Sequence, residues 1–144
     1  MKSIKLTDNT ISLKNIYSLI NWLKKNPKLT KGNLTIKFEK LFSKWIKRKY
    51  SIFVNSGSSA NLLIAQGLLE ANILRNKTVI APAVSWVTTV TPFMQMRYDV
   101  KLCDCDKFDL GLDVKHLEKL CKKYKPSLLI LVHVLGHANN MKAI

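Results

Sequence analysis

Residues Asn55-Ser56-Gly57-Ser58-Ser59-Ala60-Asn61 gather three hydroxyls, two side-chain amides and one glycine between two apolar runs, Ile52–Val54 and Leu62–Ala65. Gly57 lets the backbone turn tightly and lets a ligand approach it closely. Ser58 and Ser59 offer hydroxyls, and either is placed to cap a following helix. The first N–H groups of such a helix lack internal partners and lie at the positive end of its dipole, which suits a phosphate. A plain helix cap uses the same serines, so the loop alone leaves both readings open. It is not a P-loop, because no Gly-Lys-Ser/Thr ends it, and it is not a dinucleotide fingerprint, because Gly57 is its only glycine.

Three further constellations compete. In Ala81-Pro82-Ala83-Val84-Ser85-Trp86-Val87-Thr88-Thr89, Trp86 could stack on a flat ligand ring or serve as an ordinary core tryptophan. Cys103 and Cys105, with His133 and His137, suggest a metal site. Their spacing is loose beside that of known zinc sites, the cysteines alternate with Asp104 and Asp106, and free cysteine is a common core residue. The reading is therefore no metal. A serine hydrolase would use Ser58 or Ser85, and neither sits in a G-x-S-x-G elbow.

The elements that must position these residues follow from periodicity. Residues 12–25 place Leu13, Ile16, Ile20 and Leu23 three or four apart, as one helix stripe, and Asn26-Pro27 ends it. Residues 34–48 repeat the pattern with Ile36, Phe38, Leu41, Phe42, Trp45 and Ile46 opposite Lys37, Lys40, Lys44 and Lys47. Residues 51–54 form a short strand-like run, 58–74 a helix, 78–81 a strand ended by Pro82, and 85–96 a helix. A third strand candidate spans 100–103, a helix capped by Asp113 spans 114–124, and a fourth strand spans 128–132, broken by Gly136. Strands alternating with helices predict an α/β chain with a mostly parallel sheet and flanking helices. Unbroken apolar strands fit a sheet covered on both faces. Ligands in such sheets collect at the carboxyl ends of the strands, the rim where residues 55–61 and 82–86 are expected. The predicted division is 1–50, N-terminal helices, and 51–144, the sheet domain.

Composition narrows the class. The 144 residues carry a formal net charge of +15. The charge is uneven: residues 1–50 hold 13 Lys/Arg against 2 Asp/Glu. Only 3 of the 24 basic residues are arginine, whereas base readout and phosphate clamps favour arginine. This argues against a nucleic-acid partner. The basic helix face reads as solvated, with electrostatic steering of a nucleotide diphosphate as its secondary use. No stretch approaches the ~20 apolar residues of a membrane span. The first residues lack a secretory core, and three cysteines read as free thiols. The expected compartment is the cytoplasm.

In sequence order, NSGSSANLL, APAVSWVTT, a strand ending in CDCD, and LVHVLGHANNMKAI resemble landmarks of the DegT/DnrJ/StrS-type sugar aminotransferases. In wording they lie closest to the GDP-4-keto-6-deoxymannose 3-dehydratase branch. The resemblance implies a partial aspartate-aminotransferase-like large domain, pyridoxal-phosphate (PLP) fold type I. The implied function is that of a PLP-dependent aminotransferase or 3-dehydratase of nucleotide sugars, in deoxysugar or polysaccharide biosynthesis. It implies that Gly57 and Ser58, with Ser59 adjacent, bind the cofactor phosphate and that Trp86 stacks on the pyridine ring. It aligns Lys28, Leu29 and Thr30 with a loop that touches the nucleotide-sugar substrate. His133 stands where many relatives have His and the dehydratase branch has Asn, with no catalytic role implied. The resemblance further implies a homodimer for the intact enzyme. The family's pyridine-nitrogen carboxylate, and the lysine or histidine that divides amino transfer from dehydration, are expected beyond Ile144. The alternative is a truncated, non-catalytic phosphate-binding chain.

Overall fold

The computed structural model describes residues 10–144. They form two compact units, one up to Phe53 and one from Val54 onward.

The first unit contains helix α1, Leu13–Leu23, whose N-cap Ser12 accepts the Asn15 N–H, and helix α2, Asn33–Trp45. Asn26, in the left-handed region at φ 48°, and Pro27 stop α1 as the sequence predicts. No residue of α1 is buried. Along α2, Phe38, Phe42 and Trp45 run as a ring ladder with centroids 5.7 and 5.6 Å apart, and Phe53 meets Phe38 edge-on at 5.5 Å. Glu39 accepts the Phe53 N–H at 3.0 Å and the Lys31 ammonium at 3.3 Å. The Phe53 bond holds its carboxyl below the ordinary value, opposed by burial and assisted by the Lys31 hydrogen bond and charge. The buried Ser43 donates to the Glu39 carbonyl at 2.7 Å and shares a 2.9 Å hydroxyl contact with Ser51.

These bonds tie residues 51–53 to α2, and they correct one expectation. A strand exists only where a neighbouring backbone completes its ladder. No described residue pairs with 51–54 as a strand, so the run joins no sheet.

The second unit begins with helix α3, Gly57–Ala71, ended by Asn72 in the left-handed conformation that asparagine tolerates. Strand β1, Thr78–Pro82, follows, then a 3₁₀ turn at Val87–Thr89 and the short helix α4, Thr91–Gln95. Strand β2 is Asp99–Cys103, helix α5 is Val114–Tyr124, and strand β3 is Leu128–Leu129. The sheet is parallel in the order β2-β1-β3, with Val79 opposite Val100 and Leu128, and Ile80 opposite Lys101 and Leu129.

Successive β1 residues point to opposite faces, and each face has its own core. Val79 packs with Ala65, Phe93 and Tyr98. Ile80 packs with Cys103, Leu112 and Leu117. Helices α3 and α4 therefore cover one face and α5 the other, the two-sided cover of a parallel α/β sheet. Burying each of the two β1 side chains contributes about 1.5–3 kcal/mol. The Tyr98 hydroxyl keeps a partner inside this core, donating to the Ala65 carbonyl at 2.9 Å.

Two further expectations change at prolines. The continuous helix over 85–96 is two pieces, because Pro92 fits only the first turn of a helix and a new helix starts there. The fourth strand stops after two residues instead of five. Ile130 donates to the Ile80 carbonyl at 2.8 Å. The next β1 residue facing β3 is Pro82, which has no N–H to continue the ladder.

Candidate active site

Parallel strands bring their carboxyl ends to one edge. The loop 83–86 leaves that edge from β1, residues 104–106 leave it from β2, and 130–133 leave it from β3.

The 55–61 segment starts α3. Its N-cap is Ser56, which accepts the Ser59 N–H at 3.2 Å, so the cap falls to neither Ser58 nor Ser59. Ser58 and Ser59 sit inside the first turn. The Ser59 hydroxyl donates to Asn55 Oδ1 at 2.6 Å. The Ser58 hydroxyl donates to Thr88 Oγ1 at 3.1 Å, and Asn61 Nδ2 donates to the Thr88 carbonyl at 2.9 Å. These two bonds fasten the start of α3 to the loop that follows β1. Thr88 and Asn61 are 27 residues apart in the sequence, and only the fold shows that they meet.

Beside this joint lies a cavity of about 220 Å³ bordered by Ser58, Ser59, Leu62, Thr88 and Gln95. No acidic residue occupies the first turn of α3. The amides of Gly57 and Ser58 have no hydrogen-bond partner among the described residues. A Cβ on Gly57 would meet nothing within 4 Å, so the backbone there is open to approach. Trp86 stands two residues before Thr88, at the start of the 3₁₀ turn, and is 76% exposed. It is not the core tryptophan that a buried site would make of it.

Lys28, Leu29 and Thr30 fall in the first unit, in the loop between α1 and α2. With Trp22, Asn33 and Thr35 they border a cavity of about 420 Å³.

The remaining candidates are engaged elsewhere. Cys103 is fully buried, its thiol donating to the Asp113 carbonyl at 3.6 Å. Burial, then the nearby Asp113 and Asp104 charges, push its pKa up to about 11. Among the described residues, no three His, Cys, Asp or Glu side chains are grouped to hold a metal. His133 Nδ1 faces the backbone N–H of Asn139 at 3.2 Å and its side-chain amide at 3.0 Å. Asn139 lies within the LVHVLGHANNMKAI segment. It is 4% exposed and joins the exit of β3 to the loop before α5.

The fold defines the class first. The chain superposes on a crystal structure of GDP-4-keto-6-deoxymannose-3-dehydratase with a trapped PLP-glutamate geminal diamine, with TM-score 0.75 and 28% identity over 98% of this chain and 37% of that one. It also shares the fold of Helicobacter pylori PseC, an aminotransferase involved in the biosynthesis of pseudoaminic acid, with TM-score 0.80 and 22% identity over 99% of this chain and 38% of that one. The architecture is a partial large domain of PLP fold type I. A family match to the DegT/DnrJ/EryC1/StrS aminotransferases covers residues 11–144, and the chain belongs to that family. A relative, the GDP-4-keto-6-deoxy-D-mannose 3-dehydratase of Yersinia pseudotuberculosis, is 36% identical over 118 residues, covering 80% of this chain and 30% of that protein. The chain thus spans about a third of the length of the relatives it matches. No helix among the described residues is long and apolar enough to cross a membrane.

Proposed function

We propose that this chain carries the cofactor-phosphate anchor of a PLP-dependent enzyme acting on a nucleotide-linked 4-keto-6-deoxy sugar, by amino transfer at the ketone or dehydration at the neighbouring carbon. The observation that carries the reading is the joint between the start of α3 and the β1 exit loop. There, the hydroxyls of Ser58, Ser59, Thr88 and Thr91 border a hollow free of carboxylates, beside the unpartnered Gly57 and Ser58 amides of the first helical turn. That donor set fits a phosphate dianion, and it lies at the positive end of a 15-residue helix.

In this reading Gly57 and Ser58 bind the phosphate through backbone N–H groups, and the Ser58 hydroxyl joins them by turning its proton from Thr88 to the phosphate while Thr88 donates to Ser58 Oγ in exchange. Ser59 supports them from the same turn, and Thr88 fixes the Ser58 rotamer. Trp86 lies against the ring. When bound, PLP supplies the electron sink that stabilises negative charge at the reacting carbon. The residues of this chain anchor and orient it. Lys28, Leu29 and Thr30 are proposed for the nucleotide-sugar. Support for them is the roomy cavity they border, where Lys28 offers a cation and Trp22 an aromatic face. The 36% identity to a 3-dehydratase favours the dehydratase branch. A homodimer is proposed for the intact enzyme on the family resemblance alone.

The test uses 4′-deoxypyridoxine 5′-phosphate, which keeps ring and phosphate but lacks the aldehyde that would react with surface lysines. Binding should shift its ³¹P resonance, and Ser58→Asp should weaken binding tenfold or more by setting a carboxylate against the phosphate. Equal binding by wild type and Ser58→Asp would remove the cradle from this loop.

A further inference from the structure

His133 has no task in the reading above, yet its surroundings fix its chemistry. Asn139 Oδ1 accepts the Leu112 backbone N–H at 2.8 Å, so that atom is the carbonyl oxygen. Asn139 Nδ2 lies 2.9 Å from the Val132 carbonyl, so that atom is the amide nitrogen. Both assignments rest on backbone groups whose roles are invariant, which removes the usual ambiguity of an amide flip. The same Nδ2 lies 3.0 Å from His133 Nδ1, and the Asn139 backbone N–H reaches that nitrogen at 3.2 Å. A backbone N–H only donates. Nδ1 is therefore the acceptor, and the neutral imidazole carries its proton on Nε2.

The place of this donor matters. His133 follows Leu129 by four residues and leaves the carboxyl edge of the sheet next to β1, whose own exit runs to Trp86 and Thr88. The ring is exposed, while the asparagine that holds it is buried. With Nδ1 engaged, the Nε2–H is left as a donor with no hydrogen-bond partner among the described residues, at the edge of the sheet where the β1 exit also lies.

We infer that His133 contacts the ligand, its Nε2–H donating a hydrogen bond to an oxygen of the phosphorylated ring compound held on this rim, and that Asn139 is the positioning residue that sets its tautomer. The inference rests on the cradle reading given under Proposed function.

The experiment is long-range ¹H–¹⁵N correlation on the chain with ¹⁵N-labelled histidine, read together with ³¹P spectra of added 4′-deoxypyridoxine 5′-phosphate. His133 should show the Nε2–H tautomer in the free chain, and Asn139→Ala should convert it to a mixture. Ligand should move the His133 Nε2 resonance in step with the ³¹P shift. His133→Phe should weaken binding about fivefold or more, and His133→Gln, whose amide reaches a similar point, should restore most of it. A proton on Nδ1 in the free chain overturns the inference. So does an unmoved Nε2 with unweakened His133→Phe binding while the ³¹P signal reports a bound phosphate. No ³¹P shift at all removes the cradle reading, and this inference falls with it. If His133→Phe fails to fold, the tautomer and ligand response of the unmodified chain still decide.

Discussion

At the scale of single residues, the tightest constraint sits at Gly111. A Cβ there would lie 2.7 Å from Asn139 Oδ1, 2.9 Å from Asn139 Cγ and 3.0 Å from Asp109 Oδ1. None of these atoms is the loose end of a flexible chain. Asn139 is held through both ends of its amide, and Asp109 accepts the Gly111 N–H at 2.7 Å. Gly111→Ala should therefore destabilise the chain by about 1–3 kcal/mol, the usual cost of forcing atoms into a filled site. A urea midpoint equal to wild type would show that the Asn139 clip moves aside freely. The same residues mark how far chemistry was legible in the sequence. Gly57, Ser58, Ser59 and Trp86 stand out in the sequence because glycine, hydroxyls and an aromatic are residue types suited to the binding roles proposed for them. Asn139 does not, since an asparagine in a polar stretch looks like any loop residue until its partners, 27 residues away at Leu112, are known. Ser56 is hard to recognise as the cap for a different reason. Three serines within four positions are equivalent on paper, and the first helical residue decides among them.

At the scale of elements, boundaries followed local backbone chemistry wherever a residue enforced it. Asp113 is the clearest instance. Its Oδ1 accepts the His116 N–H at 2.8 Å, and α5 begins at the next residue. Asp113→Ala should cost about 1 kcal/mol, and Asp113→Asn, an equally good cap, should recover most of it. Thermal melts of the two variants distinguish a lost cap from a lost charge, because identical losses would mean that the negative charge, not the hydrogen bond, was the stabilising feature. Elements that depended on distant partners were harder to read. The run 51–54 has a strand's composition, but a strand also needs a neighbour, and its bonds go to Glu39 and Ser43 of α2 instead. The early end of β3 was set by Pro82 on another strand. Its effect follows only once the parallel register, Ile80 opposite Leu129, is known.

At the scale of the whole molecule, burial is concentrated in the second unit. Val79, Ile80 and Ala81 are completely inaccessible, with cores on both sides of the sheet. The first unit is built differently. Helix α1 buries no residue and α2 buries only Ser43, while Leu13, Tyr17, Leu34, Leu41 and Trp45 remain exposed. Isolated helices of 11 and 13 residues are marginal in water without a packed face. Their apolar stripes match the periodicity of helices that pack, and the chain spans about a third of its relatives' length. Local stability should follow this division, because segments with few buried apolar contacts open at a small fraction of the global free energy. In hydrogen exchange of the chain followed by mass spectrometry, peptides over 78–82 should be the slowest. Those over 13–23 should exchange at least about a hundredfold faster, a gap of roughly 3 kcal/mol in opening free energy. Adding 4′-deoxypyridoxine 5′-phosphate should slow exchange at the start of α3 and leave 13–23 unchanged, because the proposed cradle lies wholly in the second unit. Equal protection of 13–23 and 78–82 would mean that α1 is packed as firmly as the sheet, and the division of stability proposed for the two units would then be wrong.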